Sequence, residues 1–389
     1  PDEVQRIIAH ATRRDSKDIT VICRRMGGAF GGKESQAALI GCIAALATDK
    51  TGRPCKLRLD RDDDMIMTGK RHDFVIDYDV GFDDAGRILG IDFEFASRCG
   101  MSADLSGPVN DRAMFHCDNA YFLENVRVVS HRCKTNTVSS TAFRGFGGPQ
   151  GMFAIEYVID DIARTLGKDP LDVRRINFYG KEDRNVTHYQ QVVEDNIIDD
   201  LFDQLLASSE YENRREDIRR YNEASRILRR GIAITPVKFG ISFTSTLLNQ
   251  AGALVHIYRD GTVQLNHGGT EMGQGLYIKV AQVVADELGI GVDQIRITPA
   301  DTSKVPNASA TAASSGADMN GKAAQKAAAK ILKRLIVFGA GHFGVSEAQI
   351  EFRDNRVCVG DRDFDFAEFD ELAWANRISM KATGYKRTR

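Results

Sequence analysis

The sequence lacks the features that mark several large classes of protein. Its 52 lysines and arginines nearly balance 54 aspartates and glutamates, so the formal net charge is −2 and there is no basic excess. No run approaches the roughly 18 consecutive apolar residues of a membrane span, and no basic-then-apolar signal opens the chain. We therefore expect neither nucleic acid nor a membrane as a partner.

Cysteine and histidine are also poorly placed for metal binding. The 7 cysteines form no C-x-x-C pair, and the 8 histidines include no pair four residues apart. An odd number of cysteines argues against a disulfide framework. The spacing also excludes an iron–sulfur or structural zinc site within the chain. These patterns favour a reducing, cytoplasmic setting.

The 389 residues suffice for two or three domains of about 150 residues each, and a hydrophobic content of 42% supports buried cores. Hairpins and helices mix without regular βαβ alternation, which predicts an α+β fold with two mixed lobes. We place one lobe at 1–180, a charged helical connection at 181–232 and the second lobe at 233–389. Interleaved acids and bases at 205–230 indicate a solvated helix. The chain opens on Pro1, from which we expect a piece of a longer protein.

Hydrophobic periodicity and turn residues predict the individual elements. We expect strands at 18–25, 54–60 and 294–301, and hairpins at 73–97, 253–267 and 350–360. Helices are predicted at 35–48, 154–166, from Pro170 after an Asp169 cap, at 276–288 and at 322–335. Asn185 and Asn307 match the glycosylation pattern, which we interpret as chance in a cytosolic protein.

Four segments rich in glycine and other small residues carry the chemical interpretation. They are GGAFGGKE at 27–34, AFRGFGGPQG at 142–151, GGTEMGQG at 268–275 and TAASSGAD at 311–318. Such backbones approach a large polar ligand closely and offer it N–H donors. Any one of them could be a tight turn, but four together favour a bound cofactor with phosphates. Residues 27–33 fit the P-loop spacing, yet Glu34 replaces the Ser or Thr that holds magnesium, which disfavours a nucleotidase.

Six segments in order resemble the molybdenum-cofactor domain of the xanthine dehydrogenase and aldehyde oxidase family. They are CRRMGGAFGGKE, DRAMFHCDN, TAFRGFGGPQG, KFGISFT, HGGTEMGQG and TAAS, within a likeness from Glu3 to about Lys333. The resemblance implies molybdenum on molybdopterin, with 2Fe-2S clusters and FAD on other domains or subunits of a homo-oligomeric parent. The implied cofactor contacts are Phe30, Gly31, Arg144, Met272, Gly273, Gln274, Ala313 and Ser314, with Phe30, Arg144 and Ala313 around the metal.

The resemblance also implies a substrate pocket of Glu34, Arg112, Phe146, Phe243 and Thr244. The two phenylalanines would clamp a planar heterocycle, while Glu34 and Arg112 would bond its edges. Negative charge spreads onto the ring during hydroxylation, and Arg112 lies by analogy where it accumulates, which makes these two charged residues the implied catalytic pair. Aldehyde oxidases generally carry uncharged residues at both positions. A purine such as hypoxanthine or xanthine, oxidised toward urate, is therefore favoured over an aldehyde.

Simpler roles remain open for both charged residues, since Glu34 could cap the 35–48 helix and Arg112 could pair with Asp111 or Asp118. An aldehyde oxidase and a catalytically silent, cofactor-free fragment are the alternatives for the whole chain. The family's general base, a glutamate in a Gly-Glu-Pro-Pro motif, and its glutamine near the metal have no match in this chain. We therefore expect the chain alone not to turn over. Ala29 replaces a usual glycine, which is tolerable if its φ is negative.

Overall fold

The computed structural model describes residues 1–305 and 308–388, apart from the side chains of residues 313 and 314. Asn307, one of the two matches to the glycosylation pattern, lies outside the described residues. The helices and strands are α1 Asp2–Thr12, β1 Ile22–Cys23, α2 Ala37–Thr51, α3 Arg61–Met67, β2 Phe74–Phe82, β3 Ile88–Gly100, α4 Ser106–Phe115, β4 Val126–Lys134, α5 Gly148–Leu166, α6 Pro170–Asn177, α7 Ile198–Ser208, α8 Tyr211–Ala224, β5 Gln250–Ile257, β6 Val263–His267, α9 Leu276–Leu288, β7 Ile295–Ile297, β8 Ala300–Asp301, α10 Ala313–Phe343, β9 Ile350–Arg353, β10 Arg356–Val359, β11 Arg362–Asp365, α11 Phe366–Ala375 and β12 Lys381–Arg387.

By packing, the chain forms two compact units. The terminal unit comprises Pro1–Thr68 together with the chain from Ile241 onward, and the inserted unit comprises Gly69–Gly240. Helices and strands mix in both units, which confirms the predicted α+β character. The boundaries of these two units differ from those of the predicted lobes 1–180 and 233–389. The bounds of the lobes stay a prediction from the sequence.

The terminal unit is built on the four-stranded sheet β12-β5-β6-β7. β5 and β6 form the predicted hairpin around Asp260 and Gly261, and β7 then adds parallel to β6. α9 and α10 cover the sheet with buried apolar side chains, including Val280, Val284 and Leu288 of α9 and Ala323, Ala327 and Ile331 of α10. A side chain at Gly384 of β12 would lie 1.9 Å from the carbonyl oxygen of Ala323, so glycine there allows α10 to approach the sheet closely.

The inserted unit is built on the sheet β2-β3-β4, in which β2 and β3 form the predicted hairpin and β4 lies parallel to β3. α5 packs on this sheet through the stripe predicted from its periodicity: Ile155, Val158, Ile159 and Ile162 are at most 1% exposed. α6 starts as predicted, because the Asp169 carboxylate accepts a hydrogen bond from the Leu171 N–H at 2.8 Å. Each buried aliphatic side chain of such a core contributes about 1.5–3 kcal/mol.

Several predicted elements are wrong in their bounds or type. Residues 54–60 alternate like a strand but are mostly exposed, and Asp60 instead caps α3 by accepting the Asp63 N–H. The strand at 18–25 shrinks to Ile22–Cys23, and the charged helix at 205–230 divides into α7 and α8, which ends at Ala224. The stretch 311–318 was predicted as a loop, yet from Ala313 it is the first part of α10. Its sequence contains Ala313 and Ala317, and alanine is the residue with the highest helix propensity.

The contact between α4 and α5 depends on glycine. A Cβ at Gly151 of α5 would lie 2.2 Å from the carbonyl oxygen of Ala113, so α4 would have to move. We expect Gly151→Ala to lower the free energy of unfolding by about 1–3 kcal/mol, the usual effect of overpacking. Gly341→Ala is the matched control, because this exposed glycine of α10 has open space around it and alanine should stabilise the helix by about 0.5–1 kcal/mol. Urea unfolding of both variants gives the comparison, and equal stability of both would contradict this packing argument.

Candidate functional site

Three of the four glycine-rich segments meet within the terminal unit. The Met26 N–H, beside the first segment, donates to the carbonyl oxygen of Glu271 in the third segment at 3.0 Å. The Thr270 N–H donates to the hydroxyl of Thr311 in the fourth segment at 2.9 Å. These backbone contacts place residues far apart in sequence around one location.

The third segment is held by its own side chains. The Glu271 carboxylate accepts the N–H groups of Gly273, Gly275 and Tyr277 at 2.9–3.1 Å, and Gln274 Oε1 accepts the Met272 N–H at 2.6 Å. Partial burial opposes ionisation of Glu271, but the three backbone donors lower its pKa below the ordinary value. The N–H groups of Met272 and Gly273 are thus used within the segment, whereas the sequence predicts that they face a ligand.

The first two segments share an unusual backbone conformation, one copy in each unit. Phe30 and Gly31 have φ of 52° and 99°, and Phe146 and Gly147 have φ of 52° and 98°. A phenylalanine with positive φ costs about 1–3 kcal/mol, and such strain is concentrated at functional sites. Ala29, in contrast, has no positive φ, so its replacement of glycine is tolerated. The repeated Phe-Gly-Gly sequence was the signal that could have predicted this conformation.

The glycine-rich segments of the terminal unit leave open space beside parts of their backbone. A Cβ at Gly27 or at Gly273 would meet nothing within 4 Å, so the backbone faces open space at both positions. Phe30 beside them is 63% exposed. Lys33 donates to the carbonyl oxygen of Gly28 at 2.8 Å, so the lysine of the P-loop-like spacing bonds its own loop. The open backbone leaves room for a polar ligand, and the bond of Lys33 within its own loop gives no support to the P-loop interpretation.

Glu34 lies just upstream of α2, half-buried, with its N–H donating to the Gly31 carbonyl oxygen at 3.3 Å. The helix begins at Ala37 rather than at residue 35, and its N-cap residue is Gln36. Glu34 therefore precedes the first helical turn and lies near the positive end of α2, so its roles as a helix-capping residue and as a substrate-binding residue both stay predictions.

Arg112 is a nearly buried cation of the inserted unit, with 4% of its surface exposed on α4. Its Nη1 donates to the carbonyl oxygen of Gly240 at 2.8 Å, and its guanidinium lies 4.9 Å from the centre of the Phe239 ring. Burial lowers the pKa of Arg112 from its ordinary value. Asp118, one of the predicted partners of Arg112, pairs with Lys238 instead.

His116 sits one helical turn beyond Arg112 and is neutral at physiological pH. Burial, reinforced by the Arg112 charge, lowers its pKa to about 4. Its Nε2 accepts the Gly240 N–H at 3.3 Å, which assigns the ring proton to Nδ1, 3.2 Å from the carbonyl oxygen of Arg112. The neutral imidazole thus links α4 to Gly240 without adding a second positive charge.

Phe146 and Arg144 belong to the second glycine-rich segment, in the same unit as Arg112. Arg71 donates to the carbonyl oxygen of Arg144 at 2.7 Å and lies 4.4 Å from the centre of the Phe143 ring. A Cβ at Gly148 would lie 2.8 Å from the ring of Phe239, so this glycine lets the ring that stacks on Arg112 contact the segment. Sequence reasoning missed Arg71, Phe239 and His116, although Phe239 is part of the quoted KFG motif.

Phe243 and Thr244 belong to the terminal unit. Asn249 holds Phe243 in place by accepting its N–H at 2.9 Å and donating to its carbonyl oxygen at 2.8 Å. Phe243 is 9% exposed and Thr244 is half-buried. Asn249 is 3% exposed and was also missed, because a two-way amide bond six residues away has no recognisable sequence pattern.

The predicted site residues therefore fall into two groups. The inserted unit holds Arg112, Arg144 and Phe146, and the terminal unit holds Phe30, Gly31, Glu34, Phe243, Thr244, Met272, Gly273, Gln274, Ala313 and Ser314. The side chains of the last two lie outside the description, while their backbone begins α10.

All seven cysteines are free thiols. Within residues 1–305 and 308–388, no group of three or more His, Cys, Asp or Glu side chains is arranged to hold a metal ion. No helix in the same part of the chain is both long and apolar enough to cross a membrane.

Comparison with known families defines the class. Residues 1–178 match one model of the molybdopterin cofactor-binding domain, and residues 204–388 match a second model with the same description. The fold agrees with solved structures: it superimposes with a TM-score of 0.83 on quinoline 2-oxidoreductase from Pseudomonas putida 86, at 23% identity, covering 100% of this chain and 52% of that one. The chain therefore belongs to the family of molybdopterin cofactor-binding domains.

Within that family the chain is most informatively compared with xanthine dehydrogenases. It is 48% identical to xanthine dehydrogenase of Drosophila pseudoobscura pseudoobscura and 44% identical to xanthine dehydrogenase/oxidase of Gallus gallus, in each case over 385 residues and 99% of this chain. The chain spans 27% of the length of either relative. The aldehyde oxidoreductase of Desulfovibrio desulfuricans is also similar, at 26% identity and a TM-score of 0.76, covering 96% of this chain and 38% of that one.

Proposed function

We propose that this chain forms the molybdopterin and purine sites of a xanthine dehydrogenase type of molybdenum hydroxylase, which oxidises hypoxanthine and xanthine toward urate. The observation that carries the proposal is the setting of Arg112. A guanidinium with 4% exposure, held by a carbonyl oxygen and an aromatic ring, is a fixed positive charge in a dry environment. Such a charge suits an anionic purine ring better than a neutral aldehyde.

In this proposal the glycine-rich segments hold the cofactor. By the resemblance, the residues that would contact it are Phe30, Gly31, Arg144, Met272, Gly273, Gln274, Ala313 and Ser314. The molybdenum carried by bound molybdopterin would supply the two-electron redox chemistry. The Glu271 carboxylate keeps the third segment in shape before a ligand arrives, since it already accepts three backbone N–H groups.

The substrate would be placed by the aromatic and charged residues. By the resemblance, Phe146 and Phe243 would each contact the heterocycle, Glu34 would accept a hydrogen bond from one edge, and Thr244 would contact the substrate. Arg112 would interact with the opposite edge and stabilise the negative charge that develops there. Because that charge is larger in the transition state than in the ground state, Arg112 acts mainly on the rate.

Electrons from the substrate would leave through iron–sulfur and FAD domains or subunits, as the resemblance implies. The seven free thiols suit a reducing compartment such as the cytoplasm.

A chimera tests the proposal. This chain would replace the matching region of the Drosophila pseudoobscura pseudoobscura xanthine dehydrogenase, with which it shares 48% identity. We expect molybdenum near one atom per chain by elemental analysis and oxidation of xanthine and hypoxanthine in preference to a bulky aromatic aldehyde. The unmodified relative is the control. A molybdenum-loaded chimera that oxidises the aldehyde and ignores purines would instead assign an aldehyde oxidase, and a folded chimera without molybdenum would assign a silent binding domain.

A further inference from the structure

The last residues of the inserted unit reach Arg112 without regular secondary structure. Residues 231–240 belong to no helix or strand of the described chain. They nevertheless supply the Gly240 carbonyl oxygen and the Phe239 ring that hold the Arg112 guanidinium. Since no strand ladder fixes this stretch, side-chain contacts must do so.

The contacts come from the turn after α4. The Asn119 side chain accepts the Lys238 N–H at 3.1 Å and donates to the carbonyl oxygen of Pro236 at 2.9 Å. One side-chain amide therefore makes two hydrogen bonds to the backbone of residues 236–240, called here segment 236–240. Asn119 also donates to Glu156 Oε1 at 2.8 Å, and this bond connects Asn119 to α5. His116 adds the bond to the Gly240 N–H.

An ion pair between a buried carboxylate and a partly exposed lysine lies beside these bonds. Asp118 is completely buried, and its Oδ2 accepts Lys238 Nζ at 2.5 Å and the Tyr179 hydroxyl at 2.7 Å, with His188 Nδ1 3.7 Å away. Lys238 Nζ also lies 5.0 Å from the centre of the Tyr179 ring and 5.4 Å from that of Tyr189. A charge removed from water in this way is kept only where its partner is fixed, so the pair holds Lys238 in one place.

We propose that Asp118 and Lys238 are positioning residues: the ion pair between them holds segment 236–240 against α4 and thereby fixes the orientation of the Arg112 guanidinium. The role of Arg112 toward a purine rests on the proposed function. The holding of segment 236–240 by the Asp118–Lys238 ion pair, called here the tether, does not. Lys238 is two residues before Gly240, so movement of its side chain moves the carbonyl oxygen that Arg112 bonds. The sequence alone gives Lys238 no role of this kind.

The first test is amide hydrogen exchange on the purified protein. Lys238→Met removes the charge but keeps the stem, and the pair Asp118→Asn with Lys238→Met removes both charges, so that no unpaired ion threatens folding. We expect exchange of the residue 238 and Gly240 amides to rise at least about tenfold in both variants, while α5 stays protected. Lys238→Arg should restore much of the protection, and Lys168→Met, an exposed lysine of the same unit, is the control. Unchanged amide exchange at residues 238 and 240 in the double variant would refute the proposal that the ion pair holds segment 236–240.

The second test asks whether the tether acts through Arg112. In the xanthine-oxidising chimera, Lys238→Met should lower kcat/KM for xanthine about tenfold when Arg112 is present, and much less when Arg112→Gln is already in place. Equal losses in both backgrounds would show a general structural effect and refute the positioning role. If the parent chimera does not oxidise xanthine at all, the proposed function fails, while the exchange result still decides the tether.

Discussion

Arg112→Gln should lower kcat/KM for xanthine by about 10²–10³ in the chimera, mostly through kcat. Removing one fixed donor that stabilises developing charge typically has an effect of this size. The side chain is 4% exposed and lies 4.9 Å from the Phe239 ring centre, so little water would be present to replace its charge. Steady-state kinetics with xanthine and with an aldehyde measure the effect, and we expect the aldehyde rate to change far less.

Two controls make this result interpretable. Arg132→Gln removes an exposed arginine from the same unit and should leave both substrates unaffected. Arg112→Lys keeps a positive charge but loses the planar guanidinium group with its several N–H donors, so it should recover only part of the lost rate. A loss in Arg112→Gln that appears wholly in KM, or equally for the aldehyde, would contradict the assigned role in the transition state.

Local sequence patterns predicted much of the fold. The hairpin of β2 and β3 follows from alternating residues around a turn, and α6 follows from the Asp169 cap. The strand predicted at 54–60 failed because alternation without a partner strand gives no ladder. β12 was not predicted, because its pairing with β5 joins residues about 130 positions apart, such as Arg387 and Gln250. Long-range pairing of this kind leaves no local pattern.

Motifs in the sequence name candidate site residues, but they do not give the contacts that hold those residues in place. Glycine-rich segments and the resemblance predict Phe30, Arg112 and Phe146 as site residues, because those residues stand inside motifs. The residues that hold Arg112 could not be found in the same way: the Gly240 carbonyl oxygen is 128 positions away, and any residue type has such an oxygen. His116 stands in a motif, yet its role depends on which nitrogen carries the proton, and only the neighbouring bonds determine that.

Asp370→Asn should remove a pH dependence of stability from the terminal unit. Asp370 of α11 is completely buried, and neither carboxylate oxygen has a hydrogen-bond partner in the part of the chain that is described. Burial raises the pKa of Asp370 from 3.8 to about 8. The folded chain therefore keeps this group protonated where the unfolded chain has ionised it. Stability is highest below about pH 4 for this group and is lost as the pH rises toward 8, by about 1.4 kcal/mol per pH unit.

The asparagine variant cannot ionise, so this loss should vanish. Between pH 5 and pH 8 the free energy of unfolding of the wild type should fall by ~4 kcal/mol more than that of Asp370→Asn. Urea unfolding at both pH values measures the difference, in which any constant cost of the buried amide cancels. Asp361→Asn, an exposed aspartate in the turn before β11, should keep the wild-type dependence. Parallel pH profiles for the wild type and Asp370→Asn would show that the Asp370 carboxyl has an ordinary pKa in the folded chain and that water or a cation reaches it.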